Sequence, residues 1–227
     1  MPDPTSRDQL VPLLITLSAT TGLIDAVSVL GLGNVFTANM TGNIVFLGFA
    51  VADAPGYHAT FFLAAIAAFA TGALVAARTG RLLEPHGLRS WLLALAAIEA
   101  SLLWSAAGVA VGYDIHDTTP RPALFLLIAL MAFAMGARNA TVRALKVPDL
   151  TTTVLTLTLT GLVADSPLAG GMNLNFKRRI GALVAMVVGA MAGAVLVLKF
   201  GLVPPLILAG VTILLATLLV VRRDEFA

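Results

Sequence analysis

The chain has 227 residues, of which 59% are hydrophobic and only 11% charged, where soluble domains run at roughly 45–50% and about 25%. With a mean hydropathy of +0.96 this composition excludes an ordinary soluble domain and predicts one membrane domain over 1–227, while a formal net charge of +2 is too small to point to nucleic acid. Cysteine is absent, which excludes disulfides, thiolate catalysis and cysteine-ligated metal sites.

The short polar start M-P-D-P-T-S-R-D-Q leads straight into an apolar run with no A-x-A site, so no cleavable signal peptide is expected. That first run, Leu10–Leu32, is interrupted by Gly22 and Asp25. The next stretch, F-T-A-N-M-T-G-N from Phe36 to Asn43, places amides and hydroxyls where a membrane segment should be apolar. Unpaired polar groups cost several kcal/mol in lipid, so the stretch must be buried in protein or line a wet cavity. Val35–Ala52 therefore reads as a broken or re-entrant segment. Further spans are expected at His58–Arg78, Ser90–Gly112 and Ala123–Lys146. A second unusual run, L-T-T-T-V-L-T-L-T-L-T-G, follows at Leu150–Gly161, and the last two spans are Ile180–Lys199 and Leu202–Val221. With about 20 residues needed per span, the expected fold is an all-α polytopic membrane protein of about six transmembrane helices plus two broken or re-entrant segments.

The two unusual runs occupy equivalent places, which suggests a repeat of 10–112 in 123–221. At one constant offset Gly22–Ala26 faces Gly136–Ala140, and Thr37-Ala38-Asn39 faces Thr151-Thr152-Thr153; Thr41 meets Thr156 after one insertion. Later in each half Ala68, Gly72 and Ala76 match Gly189, Gly193 and Val197, small residues at a spacing that lets helices approach. That seam would serve an internal interface or a homodimer. Three spans per half make the halves inverted, a 3+3 inverted repeat. With the N-terminus in the cytoplasm, Arg78, Arg81, Arg89, Lys177, Arg178, Arg179, Arg222 and Arg223 fall inside and Asp114 and Asp117 outside, as the positive-inside rule requires. Lys199 is the misfit. A bacterial cytoplasmic membrane location with both termini inside is expected.

The run G-L-I-D-A-V-S-V-L-G-L-G-N-V-F-T-A-N-M-T-G-N-I-V-F-L-G, with M-G-A-R-N-A-T-V-R and V-P-D-L-T-T-T-V-L-T, resembles the YoaK-like family of bacterial inner-membrane proteins. The resemblance covers nearly the whole chain and implies membrane class and length, but no activity. Where resembling proteins commonly show Gln-Asn this chain has Arg138-Asn139, and where they show Thr-Gly it has Thr156-Leu157.

Few residues could carry chemistry. Asp25 lies deep in the first span, where an unpaired charge costs roughly 2.5–3.5 kcal/mol. Its repeat partner is Asn139, beside Arg138, and an Asp25–Arg138 pair would act either as a structural lock or as a proton- or substrate-binding carboxylate tuned by Arg. Glu99, mid-span with no base within a helical turn, must be neutral, paired across helices or facing a cavity, and so serves either coupling or helix packing. Asn39, Thr41, Asn43, Asn139, Thr153 and Thr156 supply uncharged donors and acceptors for a small polar solute or ion, or else satisfy the backbone freed by the breaks. His58, His86 and His116 stand singly, so no metal is expected, and no cofactor or nucleic-acid partner either. With no nucleophile motif or paired acid and base, an enzyme is not expected. The leading expectation is a small secondary transporter or permease for a small polar or anionic solute, with a channel as its variant; the alternative is a membrane interaction or assembly protein.

Overall fold

A computed structural model describes residues 9–147 and 155–222. It is built of helices: α1 Val11–Gly31, α2 Met40–Val51, α3 Ala59–Leu83, α4 Gly87–Val109, α5 Arg121–Leu145, α6 Leu155–Ala164, α7 Phe176–Phe200 and α8 Val203–Val221. Six of them, all but α2 and α6, are long and apolar enough to cross a bilayer, and the chain is a multi-pass membrane protein. The expected spans are found within a few residues of their sequence limits. The largest differences are that α3 runs on past Arg78 to Leu83 and that α7 begins at Phe176, so the basic cluster Lys177–Arg179 forms its first turn. Pro12, Pro122 and Pro204 each stand in the first turn of a span, where the missing N–H has no intrahelical partner to lose.

α2 has 12 residues and α6 has 10, lengths of about 18 and 15 Å at 1.5 Å per residue against a hydrocarbon core of about 30 Å. α2 is too short to cross upright, and the described part of α6, which starts right after the undescribed residues 148–154, covers about half of that thickness. α2 is held against α3 and the turn before it by tilted rings, Phe46 lying 5.8 Å from Phe62 of α3 and 5.2 Å from Tyr57 just before it.

The spans pack in definite pairs. α1 lies along α7 and α3 along α5; α4 contacts both α5 and α8, and α1 also touches α8. α1 and α5 are the most enclosed spans, whereas α3 and α7 turn most of their surface outward. Glycines set the closest approaches. A methyl group on Gly22 would strike the Met186 carbonyl, one on Gly189 that of Ala19, one on Gly72 that of Phe133 and one on Gly136 that of Phe69. Backbones meet directly at these points, as small residues permit in lipid, where dispersion contacts replace the hydrophobic effect. The small-residue seam of α3 and α7 is thus used inside the molecule.

Hydroxyls within the spans close on their own helix. Ser18 donates to Leu14 O at 3.0 Å, Thr141 to Ala137 O at 2.8 Å and Thr217 to Ile213 O at 2.8 Å, which removes the cost of an unpaired group in an apolar medium.

Candidate functional site

Asp25 sits on α1 a little under two turns before its end, and its Oδ1 accepts the Ala38 N–H at 3.4 Å. The chain between α1 and α2 therefore folds back beside α1. Asn43 shapes this return: it is fully buried, its Oδ1 accepts the Phe36 N–H at 2.9 Å and its Nδ2 donates to Phe36 O at 2.6 Å. One side chain thus satisfies both polar groups of a backbone unit that no helix serves. Asn39 caps α2, its Oδ1 accepting the Gly42 N–H at 3.4 Å.

These elements surround a cavity of about 590 Å³, inside the roughly 300–1,000 Å³ range of small-molecule pockets. Asp25 lines it from α1, Asn39 and Thr41 from the start of α2, Thr156 from the start of α6, and Met186 and Ala190 from α7. Polar residues from both unusual stretches meet there. The first turn of α2 borders this space, and its free N–H groups and dipole favour an electronegative guest.

The other sequence-predicted residues lie elsewhere. Asn43 holds the loop and does not line the cavity. Asn139 donates to Met135 O of its own helix at 2.9 Å and is not among the lining residues. Thr153, with Thr151 and Thr152, falls outside the described residues.

Arg138 corrects an expectation. Its ion-pair partner is Glu99 and not Asp25: Nε donates to Glu99 Oε1 at 2.6 Å and Nη2 lies 2.5 Å from the same oxygen. The reason is packing, because α4 lies against α5 and presents Glu99 to it, while α1 offers a hydroxyl and a carbonyl. Nη1 donates to Thr21 Oγ1 at 2.8 Å and to Leu17 O at 3.2 Å. With 2% exposure Arg138 does not reach an interface. Of the sequence alternatives for Glu99, pairing across helices is observed, and the side chain also borders a small cavity.

Two functional-looking residues escape the sequence reading. Thr21 is indistinguishable from its neighbours Thr20 and Ser18 until α5 places Arg138 on it. Arg179, read as part of a basic helix end, is instead buried: it bonds Gly161 O at 2.6 Å, Asn173 Oδ1 at 3.3 Å and Asp165 Oδ2 at 2.6 Å, fastening the end of α6 to α7. Its only sequence signal is its place, the last of the three basic residues and so the deepest into the helix.

Residues 13–219 match a family described as "Protein of unknown function (DUF1275)". Over 153 residues the chain is 33% identical to a Bacillus subtilis protein called UPF0700 transmembrane protein YoaK, covering 67% of this chain and 65% of that protein's length. No solved structure matches the chain.

Proposed function

This chain belongs to the DUF1275 family of proteins of unknown function, and we propose that it is a small secondary transporter that binds a small polar or anionic solute in the cavity of Asp25, Asn39, Thr41 and Thr156. The observation that carries this reading is the convergence of polar residues from both short helices on one 590 Å³ space. Neutral hydroxyls and amides beside the N-terminus of α2 suit a guest that is desolvated only in part.

Packing supports an inverted repeat as its frame. Exchanging α1 with α5, α2 with α6, α3 with α7 and α4 with α8 turns the α1–α7 contact into α5–α3, α4–α5 into α8–α1, and α2–α3 into α6–α7. The glycine contacts obey the same exchange, since Gly22 on Met186 becomes Gly136 on Phe69 and Gly189 on Ala19 becomes Gly72 on Phe133. They equate Gly72 with Gly189, one turn away from the match that sequence alone suggests. The Asp25–Ala38 bond and the packing of α2 on α3 support a re-entrant α2 that enters and leaves on one side. The end carrying Arg78, Arg81, Arg89, Lys177, Arg178 and Arg222 takes the cytoplasm of a bacterial inner membrane by the positive-inside rule, with both termini there.

A thermal-shift screen of the detergent-solubilised protein against small anions and neutral polar solutes tests this. A ligand at 100 times its Kd should stabilise by about 2.7 kcal/mol. Asn39→Ala and Thr156→Val should abolish that shift and the solute flux into proteoliposomes while leaving the unliganded melting temperature in place. If both variants only lower that temperature, the polar stretches serve helix packing; flux that never saturates would mean a channel.

A further inference from the structure

Glu99 and Arg138 lie across Thr21 from the solute cavity. Both Arg138 contacts fall on Oε1 of Glu99, and among the described residues no protein group donates to Oε2. Oε2 is not among the enclosed polar side-chain atoms left without a partner, so it faces open space where water or a proton can reach it. A second cavity of about 30 Å³ touches this pair, with Thr141 and Thr217 as its other polar walls. At roughly 10–15 Å³ for each water it has room for about two, with enough polar neighbours to hold them. Its remaining walls include Leu92, near the start of α4, and Leu145, the last residue of α5. The solute cavity extends the other way, along Val29 and Leu30 at the end of α1. Arg138 walls the small cavity and Asp25 the solute cavity, and the two extend toward opposite ends of the molecule.

We propose, building on the solute cavity above, that Glu99 binds the coupling proton and that Arg138 is a switch with two partners: Glu99 when that carboxylate is ionised, Asp25 when Glu99 carries the proton. The proton comes from the bulk aqueous phase, is relayed through water in the small cavity and adds to Oε2, which ends the ion pair without changing the guanidinium. Nη1 already rests on Thr21. Asp25 follows Thr21 by four residues on the same face of α1, about 6 Å further along the axis, within reach of a long flexible side chain. Arg138 then neutralises Asp25, the solute cavity loses its unbalanced negative charge, and an anion can enter. One proton and one monovalent anion load together with no net charge. The groups facing Glu99 are Arg138 from α5 and the Thr217 hydroxyl from α8, and among the described residues lining its cavity no further side chain titrates.

The chain has three glutamates, Glu84, Glu99 and Glu225, so carbon-13 labelling of glutamate makes infrared assignment selective. Difference spectra of the protein in phosphatidylcholine vesicles over a pH ramp should show a labelled protonated-carboxyl band that is lost in Glu99→Gln. A change in unlabelled carboxylate stretching should accompany it and be lost in Asp25→Asn. Should Glu99→Gln fail to fold, Glu99→Asp makes the same assignment, because the band leaves the labelled set while the ion pair keeps its charges. A wild-type spectrum without the labelled band overturns the proton site, and a labelled band without the Asp25 response overturns the switch. No solute is present, so either failure leaves the cavity reading standing, and failure of the thermal-shift screen leaves this one.

Discussion

Arg138 and Glu99 show how an ion pair can be both necessary and replaceable. Removing one partner strands a charge in a medium that cannot solvate it, at a cost of about 3–5 kcal/mol, whereas replacing both by apolar residues of similar volume is often neutral. Arg138→Met alone should therefore lower the unfolding free energy of the solubilised protein by about that amount, and Glu99→Leu with Arg138→Met should recover most of it. Solute flux separates structure from coupling, since the restored double variant should still fail to move solute. Recovery of flux with stability would make the pair a clasp and nothing more. Outside the spans, Tyr113 donates its hydroxyl to Gly31 O at 3.0 Å and secures the end of α1. Burial pushes its pKa up from 10.0 to about 12, with Arg121 opposing and Asp114 adding to the rise. The folded state thus resists deprotonation more than the unfolded one, so this contribution is whole below pH 10.0 and is lost as pH rises through about 12. Tyr113→Phe should cost about 0.5–1.5 kcal/mol at neutral pH, and alkaline melts of the two proteins should converge toward the upper end of that window.

At the scale of helices, most of what can be read in the sequence follows from hydropathy. Six long apolar runs with Pro at several starts announce their own limits, and amides and hydroxyls between them announce the two short helices. What faces what is a tertiary matter. Nothing around Glu99 names Arg138, because the two meet only when α4 packs on α5, and Asp25 is a nearer guess on repeat grounds alone. Asn39, Thr41 and Thr156 could be assigned together because each interrupts an apolar run, while Asn43, chemically identical to Asn39, differs only in the direction its side chain takes. The repeat register has its own ambiguity. Small residues every four positions look alike after a shift of four, so Ala68-Gly72-Ala76 fits Gly189-Gly193-Val197 in sequence, while the contacts bring Gly72 and Gly189 into equivalent places. Side-chain growth at these points separates contact from coincidence. Gly189→Ala puts a methyl group into the Ala19 carbonyl and should cost about 1–3 kcal/mol. Gly48→Ala has nothing within 4 Å and should stay within about 1 kcal/mol of the parent, on the side of greater stability. Melting curves in one detergent compare the two directly; equal losses would mean that α1 and α7 do not meet backbone to backbone.

The whole molecule depends on whether the short helices turn back or cross. If α2 and α6 both return to the side they came from, the loop after α2 and the loop between α4 and α5 share one side of the membrane, and the loop between α6 and α7 lies on the other. If both helices crossed, all three loops would share a side, and the two cavities would no longer open toward opposite ends. The 12-residue α2 falls well short of the roughly 20 residues a crossing takes, and Asp25 holds the backbone of Ala38 beside the interior of α1. The absence of native cysteine makes the alternatives separable without removing any background thiol. Ala52→Cys, His116→Cys and Leu168→Cys place single thiols at exposed positions in the three loops. In intact cells a membrane-impermeant maleimide should label the first two and spare the third; inverted vesicles should reverse the pattern. Labelling of all three from one side would require both short helices to span the bilayer, and with that the inverted halves, the shared cavity and the switch between its two ends would fall together.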